Sequence, residues 1–207
     1  MSGRITMGLA FLIVVSVLAA GLWGPVGPRG SRSLTALPML KEIPDFKLTE
    51  CHNRPVSRSD LAGHVWLANF VFTRCSGPCP ELTLRMRSLQ QGLQDRNLDA
   101  KLVTFSLDPE HDSPDEFRKY AERFQADSNR WWFLTGASER DMHRLVKEGF
   151  LQAIAPGSVD EQLTHSTYFV LVDRQGRMRA FYEGQKAESK PRILEDIQTL
   201  LGEPQTP

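Results

Sequence analysis

The sequence predicts an α/β fold, a mixed sheet with helices on both faces, preceded by an N-terminal hydrophobic helix. Three observations predict it. Val65–Phe72 (V-W-L-A-N-F-V-F) is apolar on both alternations apart from Asn69, which suits a central strand covered on both sides. Stretches of helical period follow that run and a second apolar run at Lys101–Leu107. Two later runs, Thr167–Val172 and Met178–Tyr182, are joined by Asp173-Arg174-Gln175-Gly176, the signature of an antiparallel hairpin.

In chain order, Ile5–Trp23 comes first. It carries no charge, follows Arg4, and is about long enough to cross a bilayer as a helix. Ala19, Ala20 and Gly21 also fit a signal-peptide cleavage site, so residues 1–24 read as a membrane anchor or a signal segment. Either way the bulk of the chain is exported, to the periplasmic or outer face of the cytoplasmic membrane. Residues 25–42 are rich in Gly, Pro, Ser and Arg and read as a flexible linker, which leaves 43–203 as the folded domain.

Within the domain, Phe46–Leu48 reads as a short strand, His52-Asn53-Arg54-Pro55 as a turn and Ser59–Gly63 as a helical turn or loop. The central strand follows. Leu82, Met86, Leu89 and Leu93 then recur at helical spacing, with Pro80 in the first turn, where its missing N–H costs nothing. After the Lys101–Leu107 strand, Ser113 is an N-cap with Pro114 behind it, and Phe117, Tyr120, Ala121 and Phe124 form an apolar stripe. Trp132–Leu134 is a short strand. Ser138 caps a helix to about Glu148 that turns Met142, Leu145 and Val146 inward. Phe150–Leu163 reads as irregular. A last helix begins at Pro191 and closes at Gly202.

The 207 residues fit one domain plus an extension, and 41% hydrophobic residues suffice for an ordinary core. Lys plus Arg and Asp plus Glu are equal at 25 each, and no basic stripe marks a nucleic-acid partner. Three cysteines are too few for a disulfide scaffold. Two of them, Cys75 and Cys79, lie four apart in the turn between the central strand and the helix after it. Cys79 falls at the helix N-terminus, where unpaired N–H groups and the dipole favour a thiolate. Such a pair supports a redox disulfide, a soft-metal site or an inert bridge. The third, Cys51, sits in the polar stretch E-C-H-N-R-P and reads as a free surface thiol. With His52 it makes a metal pair conceivable, but two adjacent loop residues do not make a site.

Of five histidines, His165 stands out, in T-H-S just before an apolar strand. Taken alone it reads as a solvated loop residue, although a rigid strand end can aim it. His64 falls at the far end of the central strand, His111 in the acidic turn after Asp108, and His143 on a helix surface. Two thiolates with one imidazole form a donor set suited to copper: sulfur selects Cu(I) and imidazole also accepts Cu(II). A closed zinc site would want a fourth protein ligand.

The element order resembles the thioredoxin fold, with a cysteine motif at the strand-to-helix turn. T-R-C-S-G-P-C-P, S-L-D-P-E-H-D-S-P at 106–114, W-F-L-T-G at 132–136 and H-S-T-Y-F-V-L-V-D at 165–173 together resemble the Sco/SenC family, from about Ile43 to Leu201. The resemblance implies a thioredoxin-like domain tethered by an N-terminal helix, here through residues 5–23. It implies a copper ion held by Cys75, Cys79 and His165, with the two cysteines also the redox-active pair. It implies a role in delivering copper to, or reducing the cysteines of, the binuclear copper site of cytochrome c oxidase, so that the partner is that copper-accepting subunit or a similar client. The family usually carries C-P-D-x-C-P and an aspartate before the histidine. Here Ser76, Gly77 and Pro78 fill the motif and Thr164 precedes His165, which removes two acids able to steer a cationic partner or tune the metal. The competing reading is a thiol-disulfide oxidoreductase of the cell envelope without a metal role. A peroxidase is a third, since Thr73 lies two before Cys75.

Overall fold

The computed structural model describes residues 37–156 and 163–204. The apolar run at residues 5–23 and most of the expected linker lie outside the described residues. Among those residues no helix is long and apolar enough to cross a membrane.

The strands are β1 (Lys41–Glu42), β2 (Lys47–Glu50), β3 (Pro55–Ser57), β4 (Val65–Val71), β5 (Ala100–Ser106), β6 (Trp131–Thr135), β7 (Ile154–Pro156), β8 (Leu163–His165), β9 (Tyr168–Val172) and β10 (Arg177–Glu183). The α-helices are α1 (Cys79–Asp95), α2 (Pro114–Arg123), α3 (Glu139–Arg144) and α4 (Ser189–Gly202). One mixed sheet runs β1-β10-β9-β4-β5-β6-β2-β3, and β7 with β8 forms a separate ribbon. β4, β5 and β6 are parallel, and β9 lies antiparallel to β4.

The double-sided apolar pattern of β4 is satisfied literally, since all seven of its residues are buried. On one face Trp66 and Phe70 meet Phe105 and Phe150, with the Phe105–Phe150 ring centroids 4.9 Å apart. On the other, Phe117 and Tyr120 of α2 pack against Phe133, which alternates with the Phe105 level. Each such side chain contributes about 1.5–3 kcal/mol on full burial. α1 joins α2 through Thr83 and Tyr120, whose hydroxyls lie 2.8 Å apart. Helices therefore cover both faces, as the pattern predicts.

The structure departs from the sequence reading in several places. The folded unit starts before Ile43: Leu40 N donates to the Met178 carbonyl, Lys41 pairs with Met178, and Arg179 reaches the carbonyls of Leu37 and Pro38. Arg179 does so from a β-bulge, where the β10–β9 register slips between Met178 and Ala180. The extra residue turns the guanidinium inward, onto Asp173 at 2.9 Å and Glu203 at 2.9 Å. His52–Pro55 is a turn, but Pro55 itself opens β3. The helix expected from Ser138 to Glu148 is α only to Arg144, and Leu145–Gly149 continues as a π turn. The stretch read as irregular after Phe150 contains β7 and leads into β8.

Candidate metal and dithiol centre

The site is built at the carboxyl end of β4. Beyond Val71 the chain turns through Thr73–Pro78 and enters α1 at Cys79, with Pro78 as N-cap and Pro80 in the first turn. The turn is held from outside. Asp112, fully buried, accepts from Thr73 N at 3.1 Å, Thr73 Oγ1 at 2.5 Å and Ser106 Oγ at 2.6 Å. Burial pushes the Asp112 carboxyl up while those hydrogen bonds pull it back. The acidic motif after β5 thus serves as a buried post for the cysteine turn. Thr83 donates to the Cys79 carbonyl at 2.8 Å and fixes the first helical turn.

His165 ends β8, whose register sets Ile154 opposite it. Its ring packs edge-on to Phe72, with centroids 5.9 Å apart. Nδ1 lies 2.9 Å from the Ser166 carbonyl and Nε2 lies 3.3 Å from Cys79 Sγ. A carbonyl only accepts, so these contacts assign the proton to Nδ1 and leave the Nε2 lone pair facing the sulfur. That is the arrangement expected of a ligating histidine. One ligand atom from each of Cys75, Cys79 and His165 lies within 4.8 Å of the others. Bonds of about 2.0–2.3 Å to one ion would place its donors roughly 3.5–4 Å apart, so the three atoms fit a single metal with little motion.

The two thiols are unequal. Cys75 is half-buried and Cys79 is fully buried. A hydrogen bond from the Cys79 thiol holds Cys75 well below the usual thiol range against the opposing cost of burial, with the N–H groups of Cys79 and Gly77 assisting. Cys79 is pushed up, first by that hydrogen bond to Cys75 and then by its own burial. The helix N-terminus therefore does not make Cys79 the thiolate, contrary to the sequence reading. Its N–H serves Cys75 instead, because Cys75 lies at the mouth of the turn.

Other residues are sorted by the same geometry. Thr73, the residue that raised a peroxidase reading, donates its hydroxyl to Asp112. His143 is not on the surface: its side chain is 15% exposed, and Nε2 lies 2.8 Å from the Leu107 carbonyl, closing a strand end. His111 stays near the acidic turn, 2.8 Å from Asp108, which also pairs with Arg74 at 2.8 Å. Cys51 is not a surface thiol either, being 2% exposed. Burial and a 3.1 Å hydrogen bond to Glu50 push it up to about 12.

Comparison with known proteins identifies the family. The SCO1/SenC family model matches residues 36–202. A SCO1 protein homolog of Bacillus subtilis (strain 168) is 31% identical over 162 residues, covering 78% of this chain and 84% of that one. Among solved structures, a SCO1/SenC family lipoprotein from Bacillus anthracis str. Ames is 31% identical with a TM-score of 0.74, covering 78% of this chain and 95% of that one. BsSco, described with a disulfide switch and as a member of the Sco family of cytochrome c oxidase assembly proteins, is 32% identical with a TM-score of 0.72, covering 79% and 96%. The mixed α/β fold, a sheet with helices packed on it, matches these structures.

Proposed function

Because the chain belongs to the SCO1/SenC family, we propose that it is an exported copper-binding protein whose Cys75, Cys79 and His165 hold the ion as cargo. The observation that carries this reading is the His165 ring, tied through Nδ1 to Ser166 with its Nε2 lone pair 3.3 Å from Cys79 Sγ. Two sulfurs and one imidazole form a soft, three-donor set with room for an incoming ligand, which suits Cu(I) and permits hand-over by ligand exchange with a partner thiol. The client we propose is the copper-accepting subunit of a respiratory oxidase or a similar protein.

The same groups support dithiol chemistry. The Cys75 thiolate attacks one sulfur of a client disulfide and expels the other as a thiolate. Cys79 then passes its proton to His165 Nε2 and attacks Cys75 Sγ, releasing the second client sulfur. Two electrons leave the dithiol for the client, and a Cys75–Cys79 disulfide remains. The uneven state of the two thiols favours this order, with the exposed sulfur attacking and the buried one resolving.

We assign residues 5–23 to the anchor or signal that exports the domain, residues 25–36 to the linker and 37–203 to the functional domain, since β1 and the Arg179 contacts tie residues 37–42 to the sheet.

Copper titration of the reduced full chain tests the proposal. His165→Ala is expected to weaken binding by about tenfold or more, since even outer-sphere partners of a metal site are worth that much. Unchanged affinity in His165→Ala overturns the three-ligand site. If the native chain binds no copper while still reducing disulfides, the metal-free oxidoreductase is the better account.

A further inference from the structure

A second set of donors lies outside the cysteine turn, at the loop between β2 and β3. Glu50, Cys51 and His52 are consecutive, yet a carboxylate oxygen, Sγ and a ring nitrogen lie within 4.8 Å of one another. Side chains of neighbours on a strand point to opposite faces and do not converge in this way. The loop geometry causes the convergence. Asn53 N donates to the Glu50 carbonyl at 2.8 Å, Asn53 takes a φ of 62°, and Glu50 N donates to the Arg54 carbonyl at 2.8 Å. This is a three-residue hairpin loop closed by a left-handed residue, and asparagine is among the few side chains that tolerate that conformation.

We propose that Glu50, Cys51 and His52 form a second metal site, specific for a divalent borderline cation of the zinc or cobalt type. The donor set separates it from the first site. One thiolate with one carboxylate and one imidazole suits Zn²⁺, whereas two thiolates with an imidazole suit Cu(I). Three protein ligands leave a fourth position for water. Glu50 and Cys51 are 3% and 2% exposed, while the His52 side chain is 51% exposed, so the ion arrives from the His52 side. Cys51 Sγ now sits 3.1 Å from Glu50 Oε1, and His52 Nδ1 lies 3.0 Å from the same oxygen and 3.5 Å from the sulfur. On binding, the thiol proton leaves to solvent and the cation takes the place of these hydrogen bonds. The two anionic ligands then balance its charge. Arg118 is the nearby opposing charge, and it is paired with Asp115 at 3.1 Å. The arrangement does not act as a nucleophilic triad, because sulfur and carboxylate both address Nδ1 and no relay passes through the ring.

The test uses the full chain carrying Cys75→Ser, Cys79→Ser and His165→Ala, so that Cys51 is the sole cysteine. Titration with Co²⁺ is read by the thiolate-to-cobalt charge-transfer absorption and then by its displacement with Zn²⁺. One saturable equivalent is expected, lost in Cys51→Ser and weakened about tenfold or more in His52→Ala and Glu50→Gln. His52→Ala alters an exposed side chain and keeps the fold, which a thermal melt checks, so the result does not hinge on the buried variants. No charge-transfer band at stoichiometric Co²⁺, or a band unchanged in His52→Ala, overturns the proposal.

Discussion

The chain carries two sulfur clusters that use nearly the same chemistry and reach opposite states. At Cys75 the sulfur receives hydrogen bonds, from a neighbouring thiol and from backbone N–H groups, and its charged form is favoured well below the usual thiol range. At Cys51 burial, and then the hydrogen bond that the sulfur gives to the Glu50 carboxylate, favour the neutral form up to about 12. Burial opposes ionisation at both sulfurs, and the hydrogen bonds that Cys75 receives are what separate the two. The clusters also differ in assembly. Cys79 and His165 are 86 positions apart and meet only through the sheet, whereas Glu50–His52 is closed by its own turn.

The largest expected effect is on reactivity. At pH 7 Cys75 is held as the thiolate and Cys51 as the neutral thiol, and that difference outweighs the intrinsic nucleophilicity lost at low pKa, because the Brønsted slope is only about 0.4–0.5. Burial of Cys51 widens the gap again. Mass spectrometry after brief alkylation of the native chain should find Cys75 modified at least tenfold faster, with Cys51 protected until denaturant is added. Equal labelling would erase the contrast.

Alkaline stability sharpens it next. Cys51 is raised from 9.0 in the fold, so the unfolded chain loses its proton first as pH rises. Its contribution is complete below about pH 9 and is lost as pH climbs through about 12, by up to about 4 kcal/mol. Denaturant melts between pH 8 and pH 11 should show this slope in the native chain and a shallower one in Cys51→Ala.

The third effect falls on the support of the cysteine turn. Asp112→Ala strands Thr73 and Ser106 donors in a buried place and should cost roughly 3 kcal/mol. It should also slow Cys75 alkylation relative to the native chain, because the turn loses its post. Asp112→Ala should leave the Glu50–His52 turn unaffected, which Co²⁺ titration reads once Asp112→Ala is added to the Cys75→Ser, Cys79→Ser, His165→Ala chain. A loss of both together would mean the two clusters are not independent.

The parts of this molecule that local pattern dictates were legible in the sequence. The apolar run of β4, the stripe of α1, the Ser113 cap of α2 and the Asp173–Gly176 hairpin each follow from short-range periodicity or turn chemistry. Cys75, Cys79 and His165 were legible as a set only through their order along the chain, since no local rule brings residue 165 to residue 79. The misses share a cause. β1 is held on the sheet edge because it pairs with β10 and because Arg179, 142 positions from Leu37, donates to the carbonyls of Leu37 and Pro38, and composition made that stretch look like tether. Cys51 looked exposed because its neighbours are polar, but Glu50 faces inward with it. Cys79 looked like the thiolate because the helix start was visible and the depth of burial was not.

The clamp around Arg179 sits at the opposite end of β4 from the sulfurs, a strand length of about 20 Å away. Handling the protein should follow from that polarity. A tag, surface linker or fusion partner joined ahead of Leu37 leaves the mouth of the cysteine turn clear for a client. Cargo grafted after Pro204 strains Glu203, which shares the same guanidinium, and would loosen the point where the N-terminal segment is fastened.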